Sequence, residues 1–313
     1  MLSHTKNALR ESRAWVGRKV LNGRFRKGWR QLGGVSMVSD TAEPIPYLLF
    51  DRGATKTLVN LHGFGDCKET FLLVIARLGK EYNIVVPDLP GFGATKPLQD
   101  LTYTIDNYTV WMSDFLRWLG MGPYWISGNS LGGAIASNLS FLHPDLVRLC
   151  MPISSAGYIN DGFNPLYEEF FSGGNPFFIE DKDGYLAFTK RLFHTEMKPI
   201  PLISSTLRTE MIRKRFWYQK LADDMQTYVP EDVPDRFDPQ HYMNAKLRDT
   251  SVRFHFIWGE YDALFPSETV QLLHRTNPNV KSDIIRECGH CPHLERPRKL
   301  AEVLRRILHT ERI

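Results

Sequence analysis

Ser130, Asp262 and His290 are the residues whose types and order could carry acyl transfer. A serine hydroxyl is a weak nucleophile near neutral pH and needs a base. Imidazole suits that task, and a carboxylate fixes its tautomer and stabilises its charged form. Ser130 stands in Gly128-Asn129-Ser130-Leu131-Gly132, a G-x-S-x-G run that follows an apolar stretch and precedes a helical pattern. That context predicts a sharp strand-to-helix turn lifting the hydroxyl, with Gly128 and Gly132 small enough to let strand and helix pass. Asp262 and His290 each come directly after a predicted strand, in the chain order Ser, Asp, His. A tetrahedral intermediate also needs preorganised N–H groups for its oxyanion. Leu131, at a helix N-terminus, supplies one candidate, and Phe64, in His62-Gly63-Phe64-Gly65, the second.

Ten histidines compete for the role of base. His293 lies three residues past His290, which is preferred because Gly289 gives the backbone freedom at the strand end, whereas His293 faces the final helix. Glu260 rivals Asp262, but Asp262 lies deeper in the loop before Pro266. His62 reads as a loop-organising hydrogen bonder rather than a base. Cys288 and Cys291 have the C-x-x-C spacing of half a zinc site, yet no second pair accompanies them, so no metal is expected. The chemistry needs no organic cofactor.

The surrounding elements must hold these residues at one end of a sheet. Short strands are predicted at Tyr47–Phe50 and Thr57–Leu61, joined as a hairpin through Asp51-Arg52-Gly53-Ala54. Strands at Tyr82–Pro87, Tyr124–Ser127 and Leu146–Ile153 then alternate with helices over Lys68–Leu78, around Tyr108–Leu119, and over Leu131–Leu142. After residue 246 come strands Val252–Trp258 and Ser282–Ile285, a helix near Pro266 and a closing helix from Pro297. That rhythm implies α/β architecture, a mostly parallel sheet flanked by helices. Between Ala156 and Lys246 the rhythm is lost, and 16 of the chain's 38 aromatics fall in this span, which reads as an inserted, mainly helical cap. Its phenylalanines, Phe163, Phe170, Phe171, Phe177, Phe178, Phe188 and Phe216, with Trp217, are candidates for an acyl-chain pocket or for the cap's own small core. The expected substrate contacts are Phe64, Asn129, Phe171, Phe178, Phe188 and Trp217. The chain thus divides into a basic N-terminal segment (1–40), a first core part (41–155), the cap (156–246) and a second core part (247–313).

Net charge is +4, but Met1–Arg30 holds nine Lys/Arg against Glu11 alone, leaving the remainder at −4. This distribution argues against a nucleic-acid surface. Leu2, Leu9, Val16 and Val20 share one side of a notional helix, which reads as a membrane-surface helix, a transit segment or a packing arm. Peripheral membrane contact through residues 1–30 is the expectation. No apolar run approaches the roughly 18 residues of a membrane span. Four scattered cysteines with no secretory leader predict a reducing, intracellular, cytoplasmic setting.

His62-Gly63-Phe64-Gly65, Asp88-Leu89-Pro90-Gly91-Phe92-Gly93, the Ser130 turn, and Trp258–Asp262 with Cys288–His290 together resemble the α/β-hydrolase superfamily. Cys288-Gly289-His290 followed by Glu295-Arg296-Pro297, and Lys198-Pro199-Ile200-Pro201 in the cap, are similar to membrane-associated monoacylglycerol lipases of the α/β-hydrolase-domain type and to related bacterial lipases. The resemblance implies a serine hydrolase that cleaves a lipid-like monoester through an acyl-enzyme on Ser130. Gly128-Asn129-Ser130 also resembles hydrolases of ring-fission products that cleave carbon–carbon bonds, although those carry tryptophan where Cys291 stands. A ligand receptor on the same frame is the third alternative.

Overall fold

The computed structural model describes residues 2–160, 164–196, 200–226 and 242–310, with backbone alone for residues 2–13. Phe163, Lys198 and Pro199, and the side chains of Leu2 and Leu9, lie outside the described residues. Eight strands, β1 (Val35–Val38), β2 (Pro46–Phe50), β3 (Thr57–Leu61), β4 (Asn83–Pro87), β5 (Tyr124–Asn129), β6 (Val147–Ile153), β7 (Arg253–Gly259) and β8 (Lys281–Ile285), form one sheet. Their order is β1-β2-β4-β3-β5-β6-β7-β8. The ladders β1–β2 and β2–β4 are antiparallel, and every ladder from β4 to β8 is parallel.

The helices are α1 (Leu2–Gln31), α2 (Leu72–Ile75), α3 (Ile105–Leu119), α4 (Leu131–Leu142), α5 (Pro165–Phe171), α6 (Lys182–Leu192), α7 (Pro201–Gln226), α8 (Met243–Leu247), α9 (Thr269–Thr276), α10 (Pro292–Glu295) and α11 (Pro297–Thr310). Local sequence sets their ends. Thr104 caps α3 through Asn107 N–H, and Gly120 ends that helix in the left-handed region. Asn164 caps α5 ahead of Pro165, and Asp181 caps α6.

Alternate residues of the central strands face opposite cores, as the strand period requires. Val59, Val85, Ile126 and Cys150 meet α3 and α4 on one face. Leu58, Ile84, Trp125 and Leu149 meet α2 and α11 on the other. Both faces of the central strands are covered, so nearly all of their residues are buried, the polar Asn60, Asn83 and Ser127 included. The helices α5–α8 occupy the β6-to-β7 connection, the inserted helical segment expected from the loss of rhythm.

Three expectations are corrected. The strands at 47–50 and 57–61 form no hairpin: β2 pairs with β1 and β4, and β3 lies between β4 and β5. All five residues of β3 are buried, which demands a central place with both faces covered. The sheet also begins inside the segment read as basic and N-terminal, because β1 is an edge strand whose four residues are exposed and show no alternation. Finally, the region after Lys68 is a 3-10 turn (Lys68–Phe71) followed by the single turn of α2, not one long helix.

The basic segment is itself a docked helix. Ala14 is buried, Gly17 lies against Thr206 and Leu202, and Arg18 pairs with Glu210 of α7. Further along, Phe25, Trp29 and Leu32 pack against the sheet core and Gly28 lies over Leu72. Helix α1 therefore straps the inserted helix α7 to the sheet body. No described helix is long and apolar enough to cross a membrane.

Candidate active site

Phe64, Ser130, Asp262 and His290 all follow the C-terminal ends of parallel strands, β3, β5, β7 and β8, with β6 between the two pairs. That edge is where parallel α/β sheets gather their functional loops.

Ser130 has φ 55° and ψ −116°, a conformation that costs a non-glycine residue about 1–3 kcal/mol. The surroundings enforce it. Ser130 N–H bonds Ile153 O at 2.9 Å, and Ser130 O accepts from Gly133, Ala134 and Ala156 N–H. A β-carbon on Gly128 would run into the Gly132 backbone, and one on Gly132 into the Leu61 and His62 carbonyls. The two glycines are clearance residues. Ser130 occupies the N-cap position of α4 yet its hydroxyl makes no capping bond. Among the described residues, no hydrogen bond ties the hydroxyl down.

Among the described residues, no acceptor within the chain takes the Leu131 or Phe64 N–H. Helix N-termini present such groups together with a favourable dipole. His62 orients the second one. Its Nδ1 bonds Gly63 O at 2.8 Å, while its Nε2 accepts Leu89 N–H at 3.0 Å, which assigns the proton to Nδ1. Across a planar trans peptide the Gly63 carbonyl and the Phe64 N–H point opposite ways, so fixing one aims the other. Behind this loop a buried pair, Lys68 Nζ to Asp88 at 2.5 Å, ties it to the loop after β4, where Asp88 also receives Ala94 N–H.

The imidazole of His290 bonds Asp262 Oδ2 through Nδ1 at 2.9 Å. The other Asp262 oxygen accepts Leu264 and Phe265 N–H at 2.9 and 3.0 Å. Both side chains are buried. With Nδ1 held, Nε2 is the nitrogen available to take a proton. Asn129 steadies the same loop: its amide donates to His290 O at 3.0 Å and to Ile153 O at 3.2 Å. Asn129 therefore does not face the cavity as a substrate contact; its amide is spent on backbone carbonyls.

The rival residues go elsewhere. His293 bonds Asp66 at 3.2 Å and stacks on Phe71, with its Nδ1 buried and unpartnered. Burial would raise the Asp66 carboxyl, but the His293 bond and charge and the Thr70 hydroxyl hold it below the usual value. Glu260 accepts Glu287 N–H. Cys288 and Cys291 are buried free thiols whose pKa burial pushes up.

Above Ser130 lies a cavity of about 860 Å³ of empty space, its mouth included. Its lining is almost wholly apolar: Phe64 and Phe265 from the sheet loops, Leu131 from the start of α4, Leu166, Phe170, Phe171, Met225 and Met243 from the inserted helices, and Phe177 from the turn between α5 and α6. Phe64 stacks on Phe177 at 4.0 Å, joining floor to roof. Of the expected substrate contacts, Phe64 and Phe171 line this space. Phe188 stands one layer back against Phe177, Phe178 packs on exposed Phe216, and Trp217 bonds Gly91 O beside Tyr103. Phe265, Met225 and Met243 were missed, because nothing in their local spacing distinguishes a lining residue from core.

The sequence matches the alpha/beta hydrolase family over residues 58–303, and the chain belongs to that family. It is 24% identical to lipase 1 of Psychrobacter immobilis over 77% of this chain and 73% of that protein. It is 25% identical to the human monoacylglycerol lipase ABHD6 over 80% of this chain and 75% of that protein. A 2-hydroxy-6-oxo-6-(2'-aminophenyl)hexa-2,4-dienoic acid hydrolase of Metapseudomonas resinovorans is 26% identical, over 80% and 83%. Among solved structures, a membrane phospholipase A superposes with a TM-score of 0.85 at 21% identity, covering 99% of this chain and 95% of that one.

Proposed function

We propose that this chain is a serine carboxylester hydrolase for esters bearing a single alkyl chain, monoacylglycerols among them. The observation that carries the reading is the apolar cavity opening on Ser130, with the His290 ring, bonded to Asp262, packed behind its lining residue Phe265 at 5.5 Å. Ser130 Oγ attacks the ester carbonyl carbon while His290 Nε2 takes the hydroxyl proton. The oxyanion is held by Phe64 and Leu131 N–H. The imidazolium, stabilised by Asp262, returns the proton to the departing alcohol, leaving an acyl-serine. Water then repeats the sequence and releases the acid.

The lining also bears on the carbon–carbon alternative. A ring-fission product carries a carboxylate and needs a cation or several donors to receive it. Among the described residues, no Lys or Arg lines the cavity, which favours an ester of an uncharged acyl chain. The decisive experiment is a hydrolysis series from C2 to C16 acyl esters, with a monoacylglycerol and a ring-fission product included. Rising kcat/KM with chain length, with covalent labelling by a fluorophosphonate lost in Ser130→Ala, is expected. A flat short-chain preference, or turnover of the ring-fission product alone, would overturn the lipid reading, and an unlabelled native protein would favour a receptor.

Peripheral membrane contact belongs to the same proposal. The face of α1 turned away from α7 exposes Trp15, Val16 and Val20, followed along the helix by Arg26, Lys27 and Arg30. Apolar and cationic side chains on one face suit an anionic lipid surface. Sedimentation with anionic vesicles should carry the protein down, and Arg26, Lys27 and Arg30 changed together to Gln should release it; equal binding would remove the contact.

A further inference from the structure

Beyond the serine chemistry, the end of α6 and the residues after it touch both loops carrying the acid and the histidine. His290 N–H donates to Leu192 O at 2.9 Å. The His194 ring stacks on Tyr261, the residue before Asp262, at 4.1 Å. The remaining ties converge on one carboxylate. Glu295, at the end of α10 and buried, accepts Gly289 N–H at 2.7 Å and His194 N–H at 3.3 Å on Oε2. Its Oε1 accepts the N–H and the hydroxyl of Thr195 at 2.6 and 2.7 Å. Each oxygen thus takes two donors, which is the full capacity of an ionised carboxylate.

The close fit explains Gly289 differently from its sequence context. Gly289 is not in the left-handed region, so it supplies no special backbone freedom. A β-carbon there would lie 2.7 Å from His194 N and 2.8 Å from Leu192 O. The glycine lets the residues after α6 pass over the histidine loop. In the other direction they join α6, whose Phe188 meets Phe177 in the cavity roof at 5.5 Å. A continuous path of contacts therefore runs from the roof through α6 to the backbone of His290.

We propose that Glu295 is a positioning residue that locks the end of α6 onto the loop before His290, so that the imidazole's place is set by the cap as well as by the sheet. The proposal rests on His290 acting as the base. Burial alone would raise the Glu295 carboxyl, but the Thr195 and Gly289 N–H groups and the Thr195 hydroxyl hold it below the ordinary value, so the lock is charged and fully bonded at neutral pH. In Glu295→Gln an amide NH2 replaces one oxygen and meets two donors, breaking half of the lock with almost no change of shape.

The test compares Glu295→Gln, Thr195→Val and His290→Ala by kcat and KM on a water-soluble butyrate ester, by fluorophosphonate labelling rate, and by thermal melting. Misplacing a catalytic group by about 1 Å costs on the order of 100-fold. Glu295→Gln is expected to lower kcat and labelling rate together by about 10- to 100-fold with KM within about twofold. Thr195→Val, which removes one bond of the four, is expected to lower kcat about threefold. A Glu295→Gln protein that melts earlier but keeps kcat and labelling rate would make the residue structural only and overturn the inference. If that variant does not fold, unchanged kcat in Thr195→Val overturns it instead. An active His290→Ala would sink the underlying reading of the base, a failure distinct from either.

Discussion

Loops at the C-terminal ends of β3, β5, β7 and β8 place their polar side chains by hydrogen bonds to one another and to backbone, whereas the inserted segment above them meets the same cavity with rings and methyl groups. The floor is specified by donor and acceptor geometry, in which a buried group without its partner costs about 1–3 kcal/mol. The roof is specified by volume and apolarity, which many side chains satisfy. The difference teaches where changes should abolish chemistry and where they should only retune substrate choice.

The strongest way to break that comparison lies within the floor, between two histidines of like surroundings. His290 and His293 each bond a carboxylate, at 2.9 and 3.2 Å. Only His290 is fixed from the elbow by Asn129, while the second nitrogen of His293 is buried and unpartnered beside Phe71. His290→Ala should lower kcat/KM by at least about 10⁴-fold. His293→Ala should keep activity within a few-fold and lose about 2 kcal/mol of stability in urea unfolding. Equal kinetic losses would erase the distinction.

A roof change should act on selectivity. Phe177→Ala removes the ring stacked on Phe64, and kcat/KM for a long acyl ester should fall about tenfold while that for an acetate ester holds. A uniform fall across chain lengths would mean that the roof serves the chemistry as well.

The smallest effect concerns acid. Asp66 and Glu295 are both held below their ordinary values in the folded protein, so each contributes stability that is fully present above about pH 4.5 and lost as pH falls through the depressed value. Each unit of depression is worth about 1.4 kcal/mol. Urea midpoints between pH 6 and pH 3 should fall less steeply in Glu295→Gln than in the native chain. Parallel slopes would show that the carboxylate's charge contributes nothing to the lock.

Much of the site was legible because its signals are local. The elbow declares itself through Gly128, Ser130 and Gly132 within five residues, and Asp262 and His290 through their places just after strands. Asn129 was legible as a neighbour of the serine but not as a clamp, since its partners, Ile153 and His290, are 24 and 161 residues away. Strand β1 escaped notice because an exposed four-residue edge strand carries no alternation. The hairpin expected at 47–61 failed because adjacency in sequence does not decide pairing; the burial of both faces of β3 does.

The sequence by itself determined the βαβ rhythm, the order of serine, acid and histidine, and the apolar character of the insertion, because each is written in residue types at short spacing. Only the tertiary structure decided which aromatics face Ser130, that α1 straps α7 to the body, and that Glu295 joins the end of α6 to the histidine loop. Those features are contacts between residues far apart in the chain, and such contacts are fixed by how elements pack rather than by any local pattern.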